Sequence, residues 1–215
     1  MIDNILKLEN YPYLLKQIHD PPKQLYIKGS IIEQDKKAIA IVGTRNCSDY
    51  GKKIAFDFSF KLGKLGITII SGLASGIDTQ AHKGALEANA RTIAVIGTGM
   101  DKESFYPKEN YELLKQITKN GAVISEYKEG SRGTKYSFPQ RNRMISGLSL
   151  GVIIIEAPEK SGALITADFA IEQNREVFVV PGPINSENSK GTNELIKQGA
   201  KLVTNINDIL EELNL

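Results

Sequence analysis

Six short apolar runs, rich in β-branched residues, punctuate the chain at 38–42, 67–70, 92–96, 122–125, 152–156 and 177–180. Each is continuous instead of alternating, the pattern of a strand covered on both faces. The segments between them keep helical spacing: Ile54, Phe58 and Leu62 in the first, Ala81, Ala85 and Ala88 in the second, Tyr111, Leu114 and Ile117 in the third. Strand and helix in alternation predict βαβ units. The economical assembly is an α/β fold, a doubly wound, mostly parallel, Rossmann-like sheet with helices on both faces, covering residues 36–206. Ahead of it, residues 1–35 read as an arm packed on the core, with a short helix, the Asp20-Pro21-Pro22 breaker and an extra strand at 25–27. Segments 191–199 and 207–213 read as the closing helices of a 36–215 domain.

Composition supports a packed core: 215 residues, 41% hydrophobic and 24% charged, fit a folded domain and exclude disorder. The single Cys47 forms no internal disulfide, and with only His19 and His82 as histidines no metal-ligand cluster of usual spacing is present. No metal and no cofactor are expected. The start, MIDNILKLEN, lacks the basic and apolar regions of a signal peptide, and the longest apolar stretch, near 148–155, is far short of a bilayer span. The expectation is a cytoplasmic protein without a membrane partner. A net charge of +2 makes any electropositive surface local, and 128–143 carries five basic residues against one acid, Glu129. That excess is larger than the excess of the whole chain.

In open α/β sheets, ligands bind beyond the carboxyl ends of the strands. The residues there are Gly43-Thr44-Arg45, Ser71-Gly72-Leu73-Ala74-Ser75-Gly76, Gly97-Thr98-Gly99 and, leading into a helix, Lys160-Ser161-Gly162. Turns of this kind use glycine in any case, but several such loops on one rim, with Arg45 beside them, point to an anion site. The common nucleotide motifs fail. Gly97-Thr98-Gly99 is followed by Lys102 where a dinucleotide fingerprint needs glycine, and the Gly51-Lys52 and Gly63-Lys64 pairs have Asn46 and Phe58 where a P-loop needs glycine. Gly147-Leu148-Ser149-Leu150-Gly151 mimics a nucleophile elbow, but it leads from helix to strand, the reverse of the required order, and no histidine follows it.

The least ordinary stretch is KYSFPQRNR, 135–143. It sets Tyr136 and Phe138 among Lys135, Arg141 and Arg143, beside Asn142, with Pro139 suited to the first turn of a helix. Cations that track phosphates and rings that stack on bases are how single-stranded nucleic acid is held. A core Phe138 and a solvated helix face carrying Arg141 and Arg143 are the plain alternative.

Together these motifs resemble the DNA-processing protein A, or Smf, family of bacterial natural transformation. The resemblance rests on Ile41-Val42-Gly43-Thr44-Arg45, Ser71 to Asp78, Tyr106-Pro107, Ile124-Ser125-Glu126-Tyr127, Phe138 to Arg143, Lys160-Ser161-Gly162 and Gly191-Thr192-Asn193-Glu194, in family order. It implies a non-enzymatic, homodimeric single-stranded DNA binder that protects incoming DNA and helps load the RecA recombinase. Carried over by position, Gly43, Thr44, Arg45, Ser71 and Gly72 would hold phosphate, with Ser161 and Gly162 on the same rim. Lys135, Arg141 and Arg143 would add cationic contacts, Phe138 would stack on a base, and Asn142 would hydrogen-bond a base or the backbone. Many members carry a helical module before the core and a winged helix after it, whereas this chain shows only the short arm and ends directly.

Two other readings stand beside this one. Lonely-guy and lysine-decarboxylase-like phosphoribohydrolases share glycine-rich loops and a P-G-G…G-T-x-x-E element, of which Pro181-Gly182 and Gly191-Thr192-Asn193-Glu194 look like fragments. Glu194 would then stabilise an oxocarbenium-like state; otherwise it is a first-turn acid at a helix N-terminus. The third reading is a scaffold whose rim binds nothing.

Overall fold

The computed structural model describes residues 4–215; residues 1–3 of the expected arm lie outside the described residues. Among the described residues, nine strands form one sheet in the order β1-β2-β6-β5-β4-β3-β7-β8-β9. The strands are β1 Asn4–Leu6, β2 Leu25–Gly29, β3 Ala38–Val42, β4 Thr68–Ser71, β5 Thr92–Ile96, β6 Ala122–Ser125, β7 Gly151–Ile154, β8 Glu176–Val179 and β9 Lys201–Leu202. Between β6 and β9 every pairing is parallel, while β2 joins β6, and β1 joins β2, antiparallel. The α/β, mostly parallel, doubly wound expectation holds, and the arm extends the sheet by two strands.

The helices are α1 Tyr13–Lys16, α2 Asp49–Lys64, α3 Ile77–Glu87, α4 Tyr111–Asn120, α5 Ser137–Gly147, α6 Gly162–Glu172, α7 Lys190–Lys197 and α8 Asn207–Leu213. Alternate residues of each buried strand point to opposite faces. Ala38, Ala40 and Val42 of β3 pack with α1, α5, α6 and α7, whereas Ile39 and Ile41 pack with α2, α3 and α8. Leu113, Leu114 and Ile117 of α4 close a third cluster over Ala94, Ile96 and Val123. Two helix starts follow from side-chain caps: Ser48 Oγ accepts from the Gly51 amide (3.1 Å) and Ser161 Oγ from the Ala163 amide (3.3 Å). Among the described residues no helix is long and apolar enough to cross a membrane.

Chain order along the sheet sets where a ligand can enter. From β3 the chain winds outward through β4, β5 and β6, then returns by α5 to β7, beside β3, and winds outward the other way. Strand order therefore reverses between β3 and β7, and the crevice beyond their carboxyl ends is the natural binding place. The segment 147–151 is a helix-to-strand turn, with α5 ending at Gly147 and β7 starting at Gly151.

Arm and sheet are tied by one buried ion pair. Asp35, just ahead of β3, receives Arg91 Nε at 2.8 Å and Nη2 at 2.9 Å, the Thr68 hydroxyl at 2.8 Å and the Ile32 amide at 2.8 Å. Arg91 Nη2 also donates to the Ser30 carbonyl at 2.7 Å, and both side chains are largely buried. Removing one partner of such a pair strands a buried charge. Asp35→Ala is expected to lower stability by about 3–5 kcal/mol in urea denaturation; a loss below about 1 kcal/mol, the range of an exposed pair, would contradict this.

Candidate functional site

At the reversal point a cavity of about 500 Å³ opens beyond β3 and β7. Its floor is the Val42–Asn46 turn, one wall is the first half of α5, and the other is the Pro158–Ala163 approach to α6. Four of its lining residues are cationic, Arg45, Lys135, Arg141 and Lys160, and the one carboxylate in the lining is Asp78. The first turn of α6 carries no acidic residue. Ser161, Gly162 and Ala163 line the cavity, so the positive end of the α6 dipole meets it without a first-turn counter-charge, although the Ala163 amide is already taken by the Ser161 cap.

Beneath this rim lies a buried polar network. Arg141, 5% exposed, donates through Nη1 to the Gly72 carbonyl at 2.5 Å and to the Val95 carbonyl, and through Nε to Asn142 Oδ1 at 3.1 Å. Asp78 Oδ2 receives the amides of Gly72 (3.1 Å) and Ala74 (3.3 Å). Burial raises the Asp78 pKa, opposed chiefly by the Arg141 charge. Burial also pulls Arg141 down to about 10, with Asp78 opposing, so the guanidinium stays charged at neutral pH. A Cβ at Gly72 would stand 2.6 Å from both Arg141 Nη1 and Asp78 Oδ2, so a side chain there would have to push these paired groups aside. Gly76, at φ +79°, lies against the carbonyls of Thr44 and Arg45 and so locks the loop after β4 onto the loop after β3. From below, Glu156 accepts the Ser48 amide (2.9 Å) and hydroxyl (2.5 Å), which fixes the far end of the Arg45 loop.

Nine of the twelve residues singled out in the sequence line the cavity: Gly43, Thr44, Arg45, Lys135, Phe138, Arg141, Asn142, Ser161 and Gly162. Their parts differ from expectation. The Thr44 amide is already given to the Glu156 carbonyl at 2.7 Å, and its hydroxyl accepts from Asn46, so this residue shapes the floor. Asn142 donates to the Gly162 carbonyl at 3.0 Å, joining α5 to the start of α6. Gly72 lies just beside the cavity with its amide engaged by Asp78.

Ser71 and Arg143 lie elsewhere. The Ser71 hydroxyl, fully buried, donates to the Ile41 carbonyl at 2.6 Å, within the sheet. Arg143 pairs with Glu126 at 2.7 Å and with Asp20 at 3.2 Å, against the arm. Residues two apart on a helix project about 200° apart, so Arg141 and Arg143 cannot serve the same pocket. Glu194 is also displaced: it lies in the second turn of α7, exposed and outside the cavity, beside Lys197 at 3.4 Å. The sequence presents Lys160 and Tyr106 only as parts of motifs, with no binding role of their own. Lys160 could have been found from its place directly before Ser161-Gly162, and Tyr106 from the Tyr106-Pro107 pair.

The aromatic part of the site centres on Phe138. Its ring is crowded by Gly97 and Gly133, where added Cβ atoms would press on it. The Arg45 guanidinium lies 5.5 Å from the ring centroid, and Tyr106 packs against it with centroids 6.1 Å apart.

A Rossmann-like α/β protein with a cationic, glycine-lined cavity at its strand reversal is the class these features define. The chain belongs to the family described as DNA recombination-mediator protein A, whose sequence profile matches residues 4–214. It is 45% identical over 206 residues to DNA processing protein DprA of Bacillus subtilis, covering 95% of this chain and 69% of that protein. It is 44% identical to protein Smf of Escherichia coli, covering 95% and 54% respectively, so the chain spans between about half and seven tenths of these curated relatives. Among solved structures, DNA processing protein A of Streptococcus pneumoniae superposes with a TM-score of 0.92 at 43% identity, over 98% of this chain and 74% of that one. DNA processing protein A of Helicobacter pylori, described for its single-stranded DNA binding mode, superposes with a TM-score of 0.87 at 34% identity, over 99% and 97%.

His82, fully buried on α3, lies with Nδ1 2.7 Å from Thr92 Oγ1, whose own proton goes to the Ile69 carbonyl at 2.8 Å. Burial first, and the Arg141 charge second, depress the His82 pKa to about 3. Between the unfolded value of about 6.5 and the folded value, acidification protonates the unfolded chain only, so stability falls as pH falls, by up to about 1.4 kcal/mol per pH unit. Urea midpoints from pH 7 to 4 are expected to drop more steeply for the wild type than for His82→Gln, and equal slopes would contradict it. Arg143→Ala is expected to lower stability by about 3–5 kcal/mol, because Glu126 loses its partner; an unchanged thermal midpoint would place Arg143 outside the core network.

Proposed function

We propose that this chain binds single-stranded DNA in the reversal-point cavity, protects it, and helps load the RecA recombinase onto it, acting in the cytoplasm as a homodimer and without a catalytic step. The observation that carries this reading is the pairing of charge with rings: three exposed cations, Arg45, Lys135 and Lys160, surround a cavity whose mouth holds Phe138. Phosphate is held by these cations and the α6 N-terminus, over a floor shaped by Gly43 and Thr44. Arg141 contributes its charge from beneath, and a base stacks on Phe138 once the Arg45 guanidinium moves from the ring to a phosphate. The single-stranded DNA binding mode described for the Helicobacter pylori relative supports the ligand class. The family's description as a recombination mediator supports a recombinase partner.

The phosphoribohydrolase reading has less to stand on. Such chemistry needs a free carboxylate beside the ribose. Glu194 lies outside the cavity, and the carboxylate in its lining, Asp78, is occupied by two backbone amides.

Fluorescence anisotropy with labelled oligo-dT and the matching duplex, across a salt series, tests the proposal. Tight, salt-steep binding of the single strand is expected. Arg45→Ala is expected to weaken binding and to flatten the log-log salt slope by about 0.7 for each phosphate contact removed. Phe138→Ala is expected to weaken it by about 5- to 100-fold with the slope kept. Equal slope changes in both variants, or no binding by the wild type at low salt, would overturn this division of labour.

A further inference from the structure

A narrow recess leads out of the cavity on the side away from α6. It shares Arg45, Phe138 and Arg141 with the main cavity, and its own lining includes Ser75, Gly97 and Tyr106. Tyr106 stands at its outer end, 53% exposed, with its ring plane at 61° to that of Phe138. The chemistry of this end differs from that of the cavity. Lys108, two residues on, is turned away to the carbonyls of Lys102 (2.6 Å) and Glu103 (2.7 Å). Ser75, lining the same recess, donates to the Glu109 carboxylate at 2.8 Å. A ring beside an acid, with the neighbouring lysine engaged, suits a base and repels a phosphate.

We propose that Tyr106 is a second base-stacking ring, and that the crossed pair Phe138 and Tyr106 makes the strand turn between neighbouring nucleotides. This rests on the single-stranded DNA reading above. Consecutive bases in a duplex, or in a self-stacked strand, lie nearly parallel. Two rings crossed at 61° cannot both stack on parallel neighbours, so one base must leave the stack to bind. That step is easy for a flexible pyrimidine strand, harder for a stacked purine strand, and hardest for a duplex. The crossed rings thus select strand flexibility, while the cations hold phosphate of any sequence.

The test is an anisotropy titration of the intact chain with oligo-dT, oligo-dA, and oligo-dT carrying one abasic position moved along the strand, repeated for Tyr106→Ala and Tyr106→Phe. The wild type is expected to prefer oligo-dT to oligo-dA and to lose affinity at two abasic positions. Tyr106→Ala is expected to bind oligo-dT about 5- to 100-fold more weakly with an unchanged salt slope. It is also expected to retain one sensitive position and to discriminate less between dT and dA, whereas Tyr106→Phe restores all three properties. A wild type with one sensitive abasic position overturns the second ring without recourse to any variant. So does a Tyr106→Ala protein with an unchanged thermal midpoint and wild-type affinity. In both cases oligo-dT still binds and the single-strand reading survives; a wild type that binds no oligo-dT overturns both.

Discussion

A single guanidinium, that of Arg141, sits beneath the carboxyl ends of the central strands and ties together three parts of the chain that are distant in sequence. Carbonyl groups at the end of a parallel strand must find donors, and where loops cover them water cannot supply one. Arg141 serves the Val95 carbonyl of β5 and the Gly72 carbonyl after β4, from a position on the crossover helix α5. Burying this charge is costly, and the cost is offset by three acceptors and by the field of Asp78. Gly72 is the corollary, since any side chain there would occupy the space between the two charged groups.

From that anchor the rest of the site takes its form. With α5 fixed at Arg141, its first turn brings Phe138 to the rim, with Lys135 in the approach just ahead of it, and Asn142 reaches across to the Gly162 carbonyl to set the start of α6. Gly76 and Glu156 hold the Arg45 loop from two sides, so backbone positions are settled before a ligand arrives. Preorganisation of this kind lowers the ordering cost of binding. The exposed side chains of Arg45, Lys135 and Lys160 are the adjustable part, and Arg45 is held near Phe138 meanwhile.

The buried strands were legible because a run covered on both faces shows as unbroken apolar sequence, and all six stand within two residues of their expected bounds at either end. The edge strands β1 and β9 gave no such signal: they are three and two residues long, and half-exposed Leu202 resembles any surface leucine. At the site, glycine loops and cations point to the crevice at the strand reversal, where the structure has a cavity, but sequence proximity alone does not resolve the two faces of α5. Proximity in sequence grouped Arg141 with Arg143, whereas helical geometry sends one beneath the cavity and the other to Asp20 and Glu126 on the arm side. Ser71 differs from expectation for a related reason: a hydroxyl at a strand end serves the neighbouring strand as readily as a ligand, and here it donates to the Ile41 carbonyl. Glu194 reads as a first-turn acid from the sequence and falls in the second turn, because the sequence does not reveal that α7 begins at Lys190.

The most direct test of the central claim is a two-dimensional NMR titration of the labelled chain with a short oligo-dT. Binding at the strand reversal predicts that shifted amides cluster in 43–46, 135–142 and 160–163, while the arm around Asp20 and the outer face of α7 stay unmoved. Shifts concentrated on the arm or on α7, with 43–46 and 160–163 unaffected, would contradict the account and place the DNA on another surface.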